Sequence, residues 1–299
     1  MSYFGGSMKF RFLTLSFILI YTIFTTSCSE IQTVEKFQFN ENEYQQSFFD
    51  DFTAPTLNSE KWEKCPEWQR QDLGGYWNNE CSYKNYFAPS GFCDLGGYWN
   101  DECSYIKDGN LIIECKKDGD SLLSGAIRTK NKFEQAEGLF KFRFKAEKSS
   151  GLWYAIWLMC DEEKNIGNGA TDGAEINIIE IIANDPWEQK GKKQYINSAV
   201  HWDDYEEGIH QSKGSKYYID DNFFNEWHEC IFLWESTGYK LYLDETLIWN
   251  AKGSDYGGTS TIPTYIKITA EFGKRGGEIQ EELLPAKMYV DYIAAYKKK

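Results

Sequence analysis

Positive charge and histidine are both scarce in this sequence. Its 299 residues include 32 Lys and Arg against 46 Asp and Glu, which gives a formal net charge of −14 and a pI near 4.8. Such an acidic chain does not suit a phosphate backbone, so we expect no nucleic-acid partner. The three histidines, and cysteine spacings that form no two close pairs, argue against a zinc site. Neutral ligands fit this composition best.

Long apolar segments are missing after residue 24. The run "FLTLSFILIYTIF" at 12–24 follows Lys9 and Arg11 and is too short to span a bilayer. We therefore predict a signal peptide over 1–28 and an extracellular or cell-surface protein. Ser27–Cys28 resembles a bacterial lipoprotein cleavage site, which would give an outer-membrane lipoprotein anchored by lipid at Cys28, and ordinary signal cleavage is the alternative. Residues 29–46 lack periodicity and are typical of a flexible tether.

Disulfides become feasible once the chain is exported. The eight cysteines are Cys28, Cys65, Cys81, Cys93, Cys103, Cys115, Cys160 and Cys230. If Cys28 is lipidated or removed, seven remain, and an odd number leaves at least one free thiol or an intermolecular pair. The spacing does not fix the connectivity.

Aromatic residues and short β patterns are what the chain has in abundance. It contains 11 Trp, 20 Tyr and 20 Phe, and flat aromatic faces suit ligands such as sugars. Apolar and polar residues alternate through 140–145, the period of a strand. Strands are also predicted, between Gly, Asn and Asp turns, for "NLIIEC", "GLWYAIWLM", "EINIIEII", "HECIFLWE", "YKLYLDETLIW", "YIKITAEF" and "KMYVDYIAAY". No long amphipathic helix separates them. The pattern predicts an all-β antiparallel sandwich or jelly roll over 47–299.

A single duplication interrupts this pattern. "DLGGYWNNECSY" at 72–83 recurs as "DLGGYWNDECSY" at 94–105, so a 22-residue segment is duplicated within 72–115. Two copies are too few for a solenoid, which needs at least three stacked units. We interpret the duplication as a tandem insertion that lengthens one surface loop.

The stretch "GAEINIIE" at 173–180 places two glutamates five residues apart in an apolar strand. In a regular strand, Glu175 and Asn177 share a face while Glu180 points to the other side. A β-bulge within "NIIE" would return Glu180 to the face of Glu175 and leave the carboxyl groups about 5 Å apart. This is the separation used by retaining glycosidases. A solvent-facing strand with hydrated glutamates is the structural alternative.

The preceding strand has two different faces. Trp153, Ala155 and Trp157 share one face, and Leu152, Tyr154, Ile156 and Leu158 share the other. We expect the second face to be core and the Trp face to line a binding cleft. Packing of either indole in the interior is the alternative.

At this point the sequence resembles the family-16 glycoside hydrolases. "EINIIE" is similar to the bulged form of their catalytic signature, "GLWYAIWLM" to the Trp-containing strand before it, and "SGAIRTKNKFEQAEGLFKFRFK" to an earlier strand pair. The resemblance covers about 48–297 and implies a concanavalin A-like β-jelly-roll sandwich of two antiparallel sheets. It implies Glu175 as nucleophile and Glu180 as general acid/base of a retaining endo-β-glucanase that cleaves β-1,3 or mixed β-1,3/1,4 linkages by double displacement.

Asn177 departs from the family pattern, in which an Asp lies between the two glutamates. An Asn amide can donate a hydrogen bond to Glu175 without adding a titratable group. One hypothesis is an active enzyme with an altered pH profile, and the other is a weakened or inactive protein.

The resemblance also implies further contacts with a polysaccharide. "YWNDE" is similar to a cleft-rim segment, which makes Trp99, Asn100 and Glu102 candidate sugar ligands, and His201 resembles a cleft histidine. No cofactor is needed for catalysis, a structural calcium is implied with Asp291 as a ligand, and we expect a monomer. The alternatives are a non-catalytic, lectin-like glycan-binding protein of the same fold and a hydrolase or transglycosylase acting on β-galactans.

Overall fold

The computed structural model describes residues 37, 39–40, 42–65, 97–206 and 208–299. All of them belong to one compact unit, Val34–Lys299. The predicted signal peptide, Cys28, the first copy of the duplication and the first three residues of its second copy lie outside the described residues.

The described residues form eighteen strands. In chain order they are β1 (Tyr44–Asp50), β2 (Glu63–Lys64), β3 (Gly97–Trp99), β4 (Ser104–Lys107), β5 (Asn110–Asp118), β6 (Ser121–Ser124), β7 (Ala126–Arg128), β8 (Glu134–Gln135), β9 (Gly138–Ala146), β10 (Leu152–Met159), β11 (Glu175–Ile182), β12 (Tyr195–Trp202), β13 (Gln211–Tyr218), β14 (His228–Glu235), β15 (Gly238–Leu243), β16 (Thr246–Lys252), β17 (Thr264–Phe272) and β18 (Ala286–Lys298).

These strands form two sheets. Sheet A has the spatial order β16-β15-β14-β9-β18-β5-β6-β3, with β1 added to β18 and β4 to β5. Sheet B has the order β13-β12-β11-β10-β17-β7-β2, with β8 added to β17. All pairings are antiparallel except that of β3 with β6. The predicted jelly-roll sandwich of two antiparallel sheets is confirmed.

Helical structure in the described residues is limited to short 3-10 turns. They lie at Asp101–Cys103, Asp161–Lys164, Gly169–Asp172, Asp221–Phe223, Gly253–Tyr256, Lys274–Gly276 and Glu281–Leu283. None of these segments has the length or the apolar character needed to cross a membrane.

The main core fills the space between the sheets. Alternation along β10 decides which side chains enter it, and Leu152, Tyr154, Ile156 and Leu158 are all at most 2% exposed and pack there. The prediction for this face of β10 is confirmed. Trp153, Ala155 and Trp157 lie on the opposite face and pack in separate clusters.

The structure differs from the sequence expectation at two places. "YKLYLDETLIW" forms the hairpin β15–β16, because Asp244 and Glu245 both adopt positive φ (46° and 66°) and reverse the chain. The predicted tether over 29–46 also overlaps the folded domain. Phe37 and Phe39 pack beside Tyr242 and Tyr296, and β1 begins at Tyr44, because these aromatic side chains bury apolar surface against sheet A.

The described cysteines are all buried. Cys103, Cys160 and Cys230 are free thiols. Burial raises the pKa of Cys103 to about 11 and that of Cys160 to about 12, so neither thiol is ionised at neutral pH. Cys81 and Cys93 lie outside the described residues.

Candidate active site

A bulge in β11 brings the two glutamates to one face of sheet B. The pairing with β12 shifts between Asn177 and Glu180, and Ile178 is skipped in the pairing with β10. The partners on β12 are Glu175 with His201, Asn177 with Ala199, and Glu180 with Asn197. His201, Ala199 and Asn197 alternate strictly, so their three partners on β11 share a face. The predicted bulge is confirmed.

Gly173, two residues before β11, allows the chain to pass close to the preceding turn. Its φ is +145°, and a Cβ atom there would lie 2.1 Å from the carbonyl oxygen of Glu162. Only glycine allows this close approach in this conformation. The turn Asp161–Lys164 therefore packs beside the start of the strand that carries Glu175.

Glu175 is held by two neutral donors. Asn177 Nδ2 donates to Glu175 Oε1 at 3.0 Å, and the Tyr205 hydroxyl donates to Glu175 Oε2. Glu175 as a whole is 8% exposed. Hydrogen bonds donated to both oxygens fix the orientation of this carboxyl group.

Glu180 has one neutral and one charged partner. Asn197 Nδ2 donates to its Oε2 at 2.6 Å, and Arg275 Nη1 donates to its Oε1 at 2.8 Å. Burial opposes ionisation of Arg275, but the charge of Glu180, the interaction with Tyr195 and the charge of Asp185 outweigh it and raise the pKa of the guanidinium. Arg275 therefore stays protonated beside this carboxyl group, so the two glutamates differ in the charge of their surroundings.

A third carboxyl group is buried beside this site. Glu163 is 2% exposed, and its Oε2 has no hydrogen-bond partner among the described residues. Burial raises its pKa to about 8, and the charge of Glu175 adds to the effect. Glu163 is thus protonated at neutral pH.

His201 and the two tryptophans lie on the same face of sheet B as the glutamates. His201 is half-buried and pairs with Glu175 across the strands. Trp157 Nε1 donates to Thr269 Oγ1 at 3.1 Å, and the Lys267 ammonium lies 4.3 Å from the ring centroid. Trp153 and Trp157 are only 7% and 4% exposed, so little of either indole is open to a ligand in this arrangement. Their stacking on sugars stays a prediction.

The rim segment lies differently from the expectation. Trp99 is fully buried, and its Nε1 donates to the carbonyl of Ala270 at 3.3 Å. A fully buried indole offers no face to a sugar, so Trp99 packs against the interior and does not line the cleft. Asn100 is half-buried and caps the following turn by accepting from the Glu102 amide at 2.9 Å. Glu102 is exposed and lies 3.6 Å from Lys116.

The residues around Asp291 do not fit the implied calcium. Arg143 donates to Asp291 Oδ2 at 2.7 Å, and a guanidinium in that place repels a cation. In the part of the chain that the structure describes, no group of three or more His, Cys, Asp and Glu side chains could hold a metal ion.

Four residues around the glutamates were not among the sequence-predicted site residues. They are Glu163, Asn197, Tyr205 and Arg275. Only Asn197 could have been placed on a strand from the sequence, because it lies in the segment "YINSAVHW", which forms β12. The other three lie on loops and turns whose approach to β11 depends on the tertiary structure.

Two glutamates on one face of a bulged strand fit the paired carboxyl groups that glycoside hydrolases use. The chain matches the family model of glycosyl hydrolases family 16 over residues 95–293, about two thirds of its length. It therefore belongs to family 16 of the glycosyl hydrolases.

Similar proteins of known name are consistent with this family assignment. The chain is 26% identical over 273 residues to a glucan endo-1,3-beta-glucosidase A1 of Niallia circulans, covering 83% of this chain and 37% of that protein. It is 26% identical over 180 residues to a keratan-sulfate endo-1,4-beta-galactosidase of Sphingobacterium multivorum, covering 58% and 40%. The fold is similar to the catalytic domain of an endo-1,3-beta-glucanase from Thermotoga petrophila, with a TM-score of 0.65, 20% identity, and 86% and 99% of the two chains covered. The match thus spans less than half of either of these curated relatives.

Proposed function

We propose that this protein is an endo-acting, retaining β-glucanase that hydrolyses β-1,3 or mixed β-1,3/1,4 linkages outside the cell. The observation that carries the proposal is the shared face of Glu175 and Glu180, created by the bulge at Ile178. Four residues of effective offset span about 13 Å of backbone, and side chains leaning toward each other close most of that distance. This suits a retaining pair, whose carboxyl groups lie about 5 Å apart.

The surroundings of Glu175 support its role as the nucleophile. Glu175, oriented by Asn177 and Tyr205, would attack the anomeric carbon while Glu180 protonates the leaving oxygen. In the second step Glu180 would take a proton from water, and water would release the sugar from Glu175. Arg275 at 2.8 Å stabilises the carboxylate form that Glu180 has in that second step.

The charge of the chain supports a neutral substrate. A net charge of −14 disfavours sulfated galactans by general repulsion and is indifferent to glucans. The relative described as a glucan endo-1,3-beta-glucosidase supports the same choice. A β-galactan is the second candidate, because another relative is a keratan-sulfate endo-1,4-beta-galactosidase.

A panel of polysaccharides tests this proposal. Laminarin, mixed-linkage β-glucan, cellulose and desulfated keratan are incubated with wild type, and products are sized and their anomers followed by NMR. We expect short oligosaccharides from laminarin or mixed-linkage glucan, appearing first as β-anomers. Initial α-anomers would contradict retention. Products from keratan alone would favour a hydrolase acting on β-galactans, and binding without products would favour a lectin-like protein.

Asn177→Asp tests whether the asparagine tunes the active pair. The new carboxyl group would lie 3.0 Å from Glu175, where like charges cannot all ionise and one proton is held. We expect wild type to be active and the variant to show a displaced pH–rate profile with kcat within about tenfold of wild type. Identical profiles would remove the tuning role, and activity in the variant alone would identify the natural chain as degenerate.

A further inference from the structure

The loop between β12 and β13 carries Tyr205 and His210, whose rings stack on one another, and Tyr205 contacts the candidate nucleophile Glu175. Asp203 and Asp204 both adopt positive φ (61° and 60°) and turn the loop toward β11. Asp203 Oδ1 accepts from the Gly167 amide at 2.9 Å, and the Asp204 amide donates to the carbonyl of Glu163 at 2.8 Å. The loop is therefore fastened to the segment that precedes β11.

Three rings then stack in order. The Tyr205 ring lies 4.8 Å from the His210 ring at an interplanar angle of 17°, and His210 lies 5.2 Å from His201 at 25°. The Tyr205 hydroxyl reaches Glu175 Oε2 from this stack. The position of that hydroxyl therefore depends on the ring of His210.

Hydrogen bonding defines where the protons of the two histidines lie. His210 Nδ1 is 2.7 Å from the carbonyl oxygen of Asp204, which can only accept, so Nδ1 carries a hydrogen. In a neutral ring His210 Nε2 is then an acceptor, and His201 Nδ1, 3.1 Å away, must donate to it. Both rings are Nδ1–H tautomers.

Protonation would disrupt this arrangement. With one added proton on His210, its Nε2–H and the His201 Nδ1–H would point at each other across 3.1 Å. His201 is faced by Glu175 and Glu180 of β11, by His210 of the loop, and by Arg275 after β17. Burial lowers the pKa of His201 and outweighs the two carboxylates, which keeps this ring neutral at physiological pH.

We propose that the loop between β12 and β13 forms a clamp on the active site, in which Tyr205 is the second donor to the nucleophile Glu175 and His210 is the residue that positions Tyr205. This inference rests on the proposed role of Glu175. A phenol and an amide together donate to both oxygens of Glu175, so two neutral donors fix the orientation of its carboxyl group.

Tyr205→Phe is the direct test, because it keeps the ring stack and removes only the hydroxyl. We expect kcat to fall about tenfold to a hundredfold with KM changed less than about threefold, and the acidic limb of the kcat/KM profile to move to higher pH. Tyr217→Phe, an exposed tyrosine on β13, is the matched control and should match wild type. Wild-type kcat and profile in Tyr205→Phe would overturn the proposal.

His210→Phe separates positioning from donation. It keeps an aromatic ring for stacking but removes the ring nitrogens that bond to Asp204 and His201, so we expect a smaller loss of kcat than in Tyr205→Phe, with KM little changed. Wild-type kcat in His210→Phe would contradict the role of His210.

Nitrogen-15 NMR of the imidazole rings tests the clamp independently of catalysis. At about pH 7 we expect His201 and His210 to be neutral Nδ1–H tautomers, and Tyr205→Phe to shift the signals of His210. If wild type hydrolyses no polysaccharide, the proposed function fails, but this measurement still tests whether the clamp residues are arranged as described. Nε2–H tautomers, or a His210 signal indifferent to Tyr205→Phe, would overturn it.

Discussion

Glu175→Ala should reduce hydrolysis of β-glucan at least about a thousandfold, since it removes the carboxylate that attacks the anomeric carbon. Added azide should restore turnover of an aryl β-glucoside, because a small anion can occupy the space left by the carboxylate. Attack by azide from that side gives the α-glycosyl azide, with inverted configuration.

Glu180→Ala should behave differently under the same conditions. Loss of the acid matters least when the leaving group needs no proton, so hydrolysis of a dinitrophenyl β-glucoside should retain a glycosylation burst. Azide should then resolve the intermediate and give the β-glycosyl azide. The exposed Glu226→Ala is the control and should match wild type. The same azide anomer from both variants would contradict the assignment of the two roles.

Glu163→Gln should change how stability depends on pH. Burial raises the pKa of Glu163 to about 8 in the folded protein, against 4.5 when it is not buried. The folded state therefore binds more protons than the unfolded state between these values, and wild type loses stability as pH rises through that window. The neutral amide has no proton to lose.

The expected difference is large enough to measure by chemical denaturation. We expect the two proteins to have similar free energies of unfolding at about pH 4, and the variant to be more stable by up to about 5 kcal/mol at about pH 9. Glu162→Gln, an exposed neighbour on the same turn, is the control. Parallel stability curves for wild type and Glu163→Gln would contradict the buried, protonated carboxyl group.

The strands that build the core could be predicted from the sequence. β11 and β14 have the bounds of the predicted segments, β10 and β17 differ by one residue at one end, and β18 is longer by one and two residues at its two ends, because alternation of apolar residues reflects which face is buried. β13 gave no such signal. It is exposed at every position as an edge strand, so neither face selects apolar residues.

The site was predictable where it follows from one strand. The spacing of Glu175 and Glu180 implied a bulge, since only an extra residue returns the second glutamate to the first one's face. The partners of these glutamates were not predictable in the same way. Tyr205 is 30 residues from Glu175, and Arg275 is 95 residues from Glu180. No local pattern encodes such contacts.

Trp99 illustrates a further limit of predicting a binding site from the sequence. Its resemblance to a cleft-rim residue suggested exposure, but the indole is covered on folding and lies 4.8 Å from the Lys267 ammonium. Tryptophan suits both sugar stacking and core packing, and the sequence alone does not distinguish the two.

The central claim is that Glu175 forms a covalent bond to the substrate while Glu180 handles the proton. A 2-deoxy-2-fluoro β-glucoside with a good leaving group, extended by β-1,3-linked glucose, should trap that intermediate, because the fluorine slows its hydrolysis. Mass spectrometry of the intact protein should show one added sugar unit, and peptide mapping should place it on Glu175. A sugar attached to Glu180, or turnover of a β-glucan to α-anomers with no trapped species, would contradict the account.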